Sequence, residues 1–105
     1  ERFLRYMEDH HQDPGLQLLT LEDEFGLSRY YIGRRIKEET GQHFSDLLNG
    51  VRVEHGARLL IEHPALPIKE VAARVGYSYD YYFARQFKQV YGVTPSEYRD
   101  RSNTN

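Results

Sequence analysis

The chain repeats itself. Leu21-Glu22-Asp23-Glu24-Phe25-Gly26-Leu27-Ser28 and Val71-Ala72-Ala73-Arg74-Val75-Gly76-Tyr77-Ser78 both read apolar, three variable positions, apolar, Gly, apolar, Ser. The second copy carries one extra residue, and then the correspondence resumes. Tyr31, Ile32, Gly33, Arg34, Arg35, Ile36, Lys37 and Gly41 answer to Tyr82, Phe83, Ala84, Arg85, Gln86, Phe87, Lys88 and Gly92. Each copy spells a short helix, a glycine that ends it, and a second helix. In a chain of 105 residues two such units leave space for little beyond the element that joins them. Two copies present two equivalent helices, which implies a partner read at two places.

Apolar spacing and chain breakers supply the remaining elements. Phe3, Leu4 and Met7 recur at helical intervals until Asp13-Pro14-Gly15 interrupts them. A short helix is expected from about Gln17 to Phe25, with Leu18, Leu21 and Phe25 on one stripe and Gly26 closing it. Ser28 is the expected N-cap of the next helix, which runs through Tyr31, Ile32 and Ile36 to Gly41. From about Ser45 to Glu62 apolar residues continue without proline, which predicts one long helix. His63-Pro64-Ala65-Leu66-Pro67 ends it, because proline disfavours helix in the residue before it. The second copy predicts a helix from about Ile68 to Val75, a turn at Gly76, Ser78 as cap, and a helix to about Tyr91 and Gly92. Thr94-Pro95-Ser96-Glu97 opens a last helix, with Thr94 as cap, Pro95 at the first helical position and Glu97 completing a capping box. The expected fold is all-α, with about seven helices in two lobes joined by a long central helix. The first lobe covers about 1–44, the linker helix about 45–63 and the second lobe about 64–101, followed by a disordered tail at 102–105.

A content of 39% hydrophobic and 13% aromatic residues is that of a globular chain. No apolar run approaches the roughly 20 residues of a membrane helix. Without cysteine there is neither a disulfide nor a thiolate metal site, which is compatible with the cytoplasmic location expected here. Glu1 is no natural start, so the expectation is a domain excised from a longer protein. No nucleophile, base and oxyanion set and no glycine-rich phosphate loop is visible, so neither an enzyme nor a cofactor is expected. His10, His11, His43, His55 and His63 form no ligand pair with a carboxylate at metal-site spacing, and they read as ordinary surface or core histidines with no metal. Arg52 and Arg58 are expected to pair with Glu54 and Glu62 or neighbouring acids. Several of Tyr77, Tyr82, Tyr91 and Tyr98 are expected in the core with satisfied hydroxyls.

The net charge of −2 argues against a generic polyanion binder. Its distribution matters more. Ser28 to Lys37 holds Arg29, Arg34, Arg35 and Lys37 and no acid, while Glu22, Asp23, Glu24, Glu38 and Glu39 crowd the flanks. A positive face on a near-neutral chain fits a specific reader with modest non-specific affinity.

The second unit, with Ile68, Val71-Ala72, Val75-Gly76-Tyr77-Ser78, Tyr82-Phe83, Arg85, Phe87-Lys88, Tyr91-Gly92-Val93-Thr94-Pro95 and Tyr98-Arg99, resembles the AraC/XylS family of bacterial transcription regulators. The first unit agrees through Leu27-Ser28, Tyr31-Ile32, Arg34, Lys37, Gly41-Gln42 and Phe44, so the resemblance extends from Leu18 to Arg101. It implies two helix-turn-helix lobes that bind promoters, the DNA-binding part of an activator, with RNA polymerase as a further partner; dimerisation, if any, would run through a region absent from this chain. Three positions depart from the family pattern: Glu22 stands where a small Ala is usual, Ile36 replaces Phe, and Gly56 replaces Ala. Glu22 must snorkel outward or pair with a cation, and the first lobe is expected to pack more loosely than the second.

A helix fits the B-DNA major groove and its exposed early residues reach base edges. With Tyr31, Ile32 and Ile36 facing inward, the first reading helix offers Arg29, Tyr30, Gly33, Arg34 and Lys37. With Tyr82, Phe83 and Phe87 inward, the second offers Tyr79, Asp80, Tyr81, Ala84, Arg85 and Lys88. Arg34 and Arg85 suit bidentate contacts to guanine; Tyr30, Tyr79 and Tyr81 suit thymine methyls or phosphate oxygens; Asp80 suits cytosine N4; Gly33 and Ala84 permit close approach. Lys37, Lys88 and the amides capped by Ser28 and Ser78 are expected to clamp phosphates. The alternative is a helical protein-interaction module that has lost DNA affinity, motivated by Glu22 and the acidic first lobe.

Overall fold

The computed structural model describes residues 2–103. Among them are seven helices: α1 (Arg2–His10), α2 (Leu18–Phe25), α3 (Arg29–Thr40), α4 (Phe44–Glu62), α5 (Ile68–Arg74), α6 (Asp80–Tyr91) and α7 (Pro95–Asn103). The all-α expectation holds, and the molecule is elongated, 47 Å along its principal axis against 23 and 21 Å across.

Two separate cores explain that shape. Phe3, Met7, Leu16, Leu21, Ile32, Ile36, Phe44 and Leu48 bury together at one end. Val53, Ala57, Leu60, Val71, Ala72, Val75, Tyr77, Phe83 and Phe87 bury together at the other. Helix α4 serves both: Phe44 and Leu48 belong to the first core, while Val53, Ala57 and Leu60 belong to the second. Its 19 residues span about 28 Å at 1.5 Å per residue. Because its apolar residues serve two partners at different points along its length, they form no single stripe. Helix α7 is fastened to the end of α4 by Arg99, whose Nε donates to the Leu60 carbonyl at 3.0 Å and whose Nη2 donates to the His63 carbonyl at 3.3 Å.

Between the cores lies Arg52, 8% exposed. Instead of pairing with an acid on its own helix, its Nε donates to the His11 carbonyl at 2.9 Å and its Nη2 to the Asp13 carbonyl at 2.8 Å. Its guanidinium carbon also sits 5.5 Å from the Tyr77 ring centroid. The ion pair expected of Arg52 is therefore replaced by two backbone acceptors that follow α1, while Arg58 does meet Glu54, at 3.7 Å. Gly76, at φ 103°, backs onto the same spot: a Cβ there would collide with the His11 carbonyl and stand 2.8 Å from Arg52 Nε. The second helix-turn thus touches the first half of the chain through a position where no side chain fits.

Gly56 belongs to the second core, and the departure there does not loosen the first lobe. A Cβ at Gly56 would lie 2.7 Å from the Phe83 ring, so the large ring of Phe83 occupies the space a methyl group would take. Helix α7 continues past Arg101 through Ser102 and Asn103, and Ser102 Oγ donates to the Tyr98 carbonyl at 3.1 Å. Thr104 and Asn105, the rest of the expected tail, lie outside the described residues. Helix α5 ends at Arg74, with Val75 as its C-cap.

Replacing Arg52 by Met keeps volume but removes both charged donors, leaving the Asp13 carbonyl with only the Leu16 amide at 3.1 Å and the His11 carbonyl without Arg52. Each hydrogen bond to a charged group contributes about 1.5–3 kcal/mol, partly offset by relief from burying a charge. The expected outcome for Arg52→Met is a loss of about 1–3 kcal/mol in urea unfolding, whereas Arg58→Met, at an exposed pair, should cost less than about 0.5 kcal/mol.

Candidate nucleic-acid interface

Helices α3 and α6 each bury two residues one turn apart, Ile32 with Ile36 and Phe83 with Phe87. That spacing turns the opposite face outward, and on it the two helices carry the same series. Tyr30, Arg34 and Lys37 are exposed on α3, and Tyr81, Arg85 and Lys88 are exposed on α6. The spacings of four and three residues align the three side chains along one face. Tyr30 is 78% and Tyr81 69% exposed, far more than a core tyrosine would be. Arg29, Ser28, Ser78, Tyr79 and Asp80 are exposed as well. Arg34 and Arg85 make no hydrogen bond or ion pair among the described residues, while Arg35, off this face, is held by Glu39 at 2.6 Å. Arg29 lies against Tyr30, 5.5 Å from the ring centroid.

Several expectations need correction. Gly33 and Ala84 are half-buried, and a Cβ on Gly33 would touch Leu18 at 3.5 Å, so Gly33 faces α2 and offers no close approach. Tyr31 and Tyr82 are not core residues: they are 40% and 41% exposed. Ile32 and Phe83 already fill the inward position, and the preceding residue is swung about 100° to the rim. Tyr82 stands edge-on to Tyr77, 5.6 Å between centroids, and Asn49 Nδ2 lies 3.5 Å from its hydroxyl. Tyr77 is the buried member, donating to Asn49 Oδ1 at 2.7 Å; burial pushes its phenol pKa well up and keeps it a donor. Sequence reasoning missed Asn49. Its partners are 28 and 33 residues away, and no local pattern marks such a meeting.

Helices α3 and α6 begin differently. Ser28 caps α3, its Oγ accepting from the Tyr30 and Tyr31 amides at 3.1 and 3.4 Å. Glu22 reaches over from α2, its Oε1 accepting from the Arg29 amide at 2.8 Å. The Glu that departs from the family pattern therefore pairs with a helix N-terminus, where a negative charge is favoured, and not with a cation. With three amides occupied, the start of α3 has none of them left for a phosphate, contrary to expectation. In the second copy the inserted residue moves the N-cap from Ser78 to Tyr79, which makes no side-chain cap. Asp80 takes the first turn, where its charge suits the helix dipole. At the far end of α3, Lys37 Nζ donates to the Gly41 carbonyl at 2.9 Å; Lys88 makes no such bond among the described residues.

A family model described as a helix-turn-helix domain matches residues 21–101. The xylose operon regulatory protein of Escherichia coli K12 is 34% identical over 91 residues, covering 87% of this chain and 23% of that protein. Among solved structures, the C-terminal domain of AraT, a response regulator from Geobacillus stearothermophilus, matches with a TM-score of 0.91 at 38% identity, covering 95% of this chain and 82% of that one. The DNA-binding domain of AdpA, a global transcriptional factor solved with a target DNA, matches with a TM-score of 0.87 at 25% identity, covering 95% and 88%.

The capping asymmetry has a measurable consequence. Loss of an N-cap hydroxyl costs about 1 kcal/mol, so Ser28→Ala should lower stability by that amount in denaturant unfolding. The equivalent Ser78→Ala should change it by less than about 0.3 kcal/mol, because no helix cap is lost. Equal costs at the two positions would mean that Ser78 caps α6 after all.

Proposed function

The chain belongs to the AraC-type helix-turn-helix family, and from that premise we propose that α3 and α6 dock in successive major grooves of a bacterial promoter, as the DNA-binding part of a transcription regulator. The family is one of DNA-binding regulators, not enzymes. One observation carries the two-helix reading: the exposed series Tyr30, Arg34, Lys37 recurs as Tyr81, Arg85, Lys88 on a second helix of the same build.

Arg34 and Arg85 are the base readers. Each guanidinium is solvent-facing and unspent among the described residues, and each suits the paired acceptors of guanine, a contact giving roughly 1–3 kcal/mol of discrimination. Tyr30, Tyr79 and Tyr81 flank them and suit thymine methyls or phosphate oxygens, with Arg29 beside Tyr30. Asp80 suits cytosine N4, and Ala84 leaves space beside Arg85. Lys88 holds phosphate and fixes register without reading sequence. Lys37 does the same once it leaves the Gly41 carbonyl. Ser28 serves by shaping the start of α3, and Ser78 stands beside Tyr79 at the turn.

Successive major grooves on one face lie about 34 Å apart, and helices set closer together than that would require the DNA to bend. A single chain would then cover about two helical turns, roughly 20 base pairs, of asymmetric sequence. The protein-interaction alternative drew on Glu22, whose carboxylate is engaged at the α3 N-terminus and offers a partner little. No helix among the described residues is long and apolar enough to cross a membrane, and we place the regulator in the cytoplasm. The chain spans 23% of the xylose regulator it matches. Contact with RNA polymerase, activation and dimerisation through a region outside these residues belong to the same proposal.

Selection of bound duplexes from a random library should return two half-boxes about one turn apart; a single short box would restrict reading to one helix. On the selected site, Arg34→Ala and Arg85→Ala should each weaken binding about 5- to 150-fold while leaving random DNA nearly unchanged. Lys88→Ala should weaken both and lower the salt slope by about one. Equal loss on selected and random DNA for the arginine variants would overturn direct base reading.

A further inference from the structure

The fold assembles a cluster that the reading helices do not use. Glu8 on α1, His11 just beyond it and His55 on α4 each place one ligand atom within 4.8 Å of the others. Forty-four residues separate the two histidines in sequence (55 − 11), so no spacing motif announces the group. We propose that these three side chains form a binding site for a late first-row divalent cation, with Zn²⁺ the best match.

The donor set points to that class of ion. Two imidazoles and one carboxylate are the mixed ligands that Zn²⁺ takes in three-ligand sites with an open fourth position, whereas Ca²⁺ and Mg²⁺ require oxygen throughout. His11 is prepared as a ligand. Its Nδ1 lies 2.7 Å from the Glu8 carbonyl, an acceptor only, so Nδ1 carries the proton and Nε2 keeps the lone pair. A ring nitrogen donating to a backbone carbonyl is the usual support behind a metal-bound imidazole. Burial, the largest influence on His11, lowers its pKa and favours the neutral form that binds metal.

His55 Nε2 meets Glu8 Oε1 directly, so the ion takes the place of the proton between them and that proton leaves to solvent. The two rings stack, 4.0 Å between centroids and 15° between planes, and a shared ion needs one of them to turn. His55 can turn: it is half-buried and lines, with His11, Arg58, Leu59, Glu62 and Arg74, an open cleft of about 570 Å³. Ligand atoms bound to one tetrahedral Zn²⁺ at about 2.0–2.1 Å stand about 3.4 Å apart, so Glu8 and His55, now in direct contact, part slightly while the wider separations, all within 4.8 Å, close. The bound ion would tie the end of α1 to α4 beside the carbonyl that Arg52 holds.

The test is calorimetric titration of Zn²⁺ into the untagged, metal-free chain at about pH 7.5, with melting followed in parallel. The expected result is one bound equivalent and a raised Tm. His55→Ala and Glu8→Gln should each weaken binding about tenfold or more, while His10→Ala, a neighbouring exposed histidine, should bind as the parent does. Far-UV circular dichroism without metal checks that each variant is folded. Co²⁺ in place of Zn²⁺ should give the intense visible bands of a four-coordinate site. Absence of saturable one-to-one binding, or equal affinity in the parent, His55→Ala and Glu8→Gln, would overturn the site.

Discussion

A guanidinium bound to two backbone carbonyls holds two hydrophobic cores in one relation. Arg52 sits where neither core closes, and its donors end on carbonyls of the segment between α1 and α2. Those carbonyls lie in the turn just past α1, where the Asp13 carbonyl also accepts from the Leu16 amide at 3.1 Å, so Arg52 adds donors from another element. The contact is specific in a way apolar packing is not, because it needs two acceptors at fixed positions and a ring, Tyr77, behind the plane. Gly76 completes it by leaving out a side chain where the second helix-turn comes against His11. What is fixed here is the relation of α3 to α6. A reader of two grooves requires that relation to be set before binding, or ordering it subtracts from affinity.

Duplication supplied two copies of one unit, and the differences between them lie at the helix starts. In the first copy α3 is capped twice, by Ser28 and by Glu22 from the neighbouring helix. In the second, α6 opens on Tyr79 and Asp80 without a side-chain cap, and its stability rests on Phe83 and Phe87, which are fully buried. The aromatic run from Tyr77 through Phe83 and Phe87 to Tyr91 and Tyr98 brings ring centroids to 4.6–5.7 Å. The first lobe has its own run of rings, Phe3 to Phe25 to Tyr6 at 5.2 and 5.7 Å, but Phe25 and Tyr6 lie at the margin of a core whose interior is mostly aliphatic. The first unit therefore relies more on polar caps and the second on ring packing, although both present the same outward series.

Much of this can be read in the residues because it is local. Gly26, Gly41 and Gly92 end helices at the positions their spacing implies, and the Thr94–Glu97 box is present in both directions at 2.9 and 3.2 Å. The exposed Tyr, Arg and Lys on each reading helix follow from helical geometry once the buried pair is known. What cannot be read joins residues far apart. Arg52 shares α4 with Glu54 and Glu62, yet the carbonyls it meets lie 41 and 39 residues away. Residue type alone points Tyr31 and Tyr82 inward, but Ile32 and Phe83 take that position, and each helix has one inward place per turn. Ser78 resembles Ser28 in sequence, and a single inserted residue is enough to move the cap. The outward faces are legible; the seam between the halves is not.

The same distribution explains how an acidic chain can hold a polyanion. The net charge of −2 weakens attraction to DNA at a distance, and screening removes most of what remains beyond about 8–10 Å at physiological salt. At the surface only the nearest charges count. In the proposed docking, α3 and α6 would bring arginines and lysines forward, while Glu22 and Glu39 are tied to a helix start and to Arg35. Low non-specific affinity and strong short-range contacts favour correct sequence over random DNA, since the genome offers vastly more wrong sites than right ones. A more basic surface would bind more tightly everywhere and discriminate less, so the acidic flanks contribute to specificity by limiting the affinity that sequence does not control.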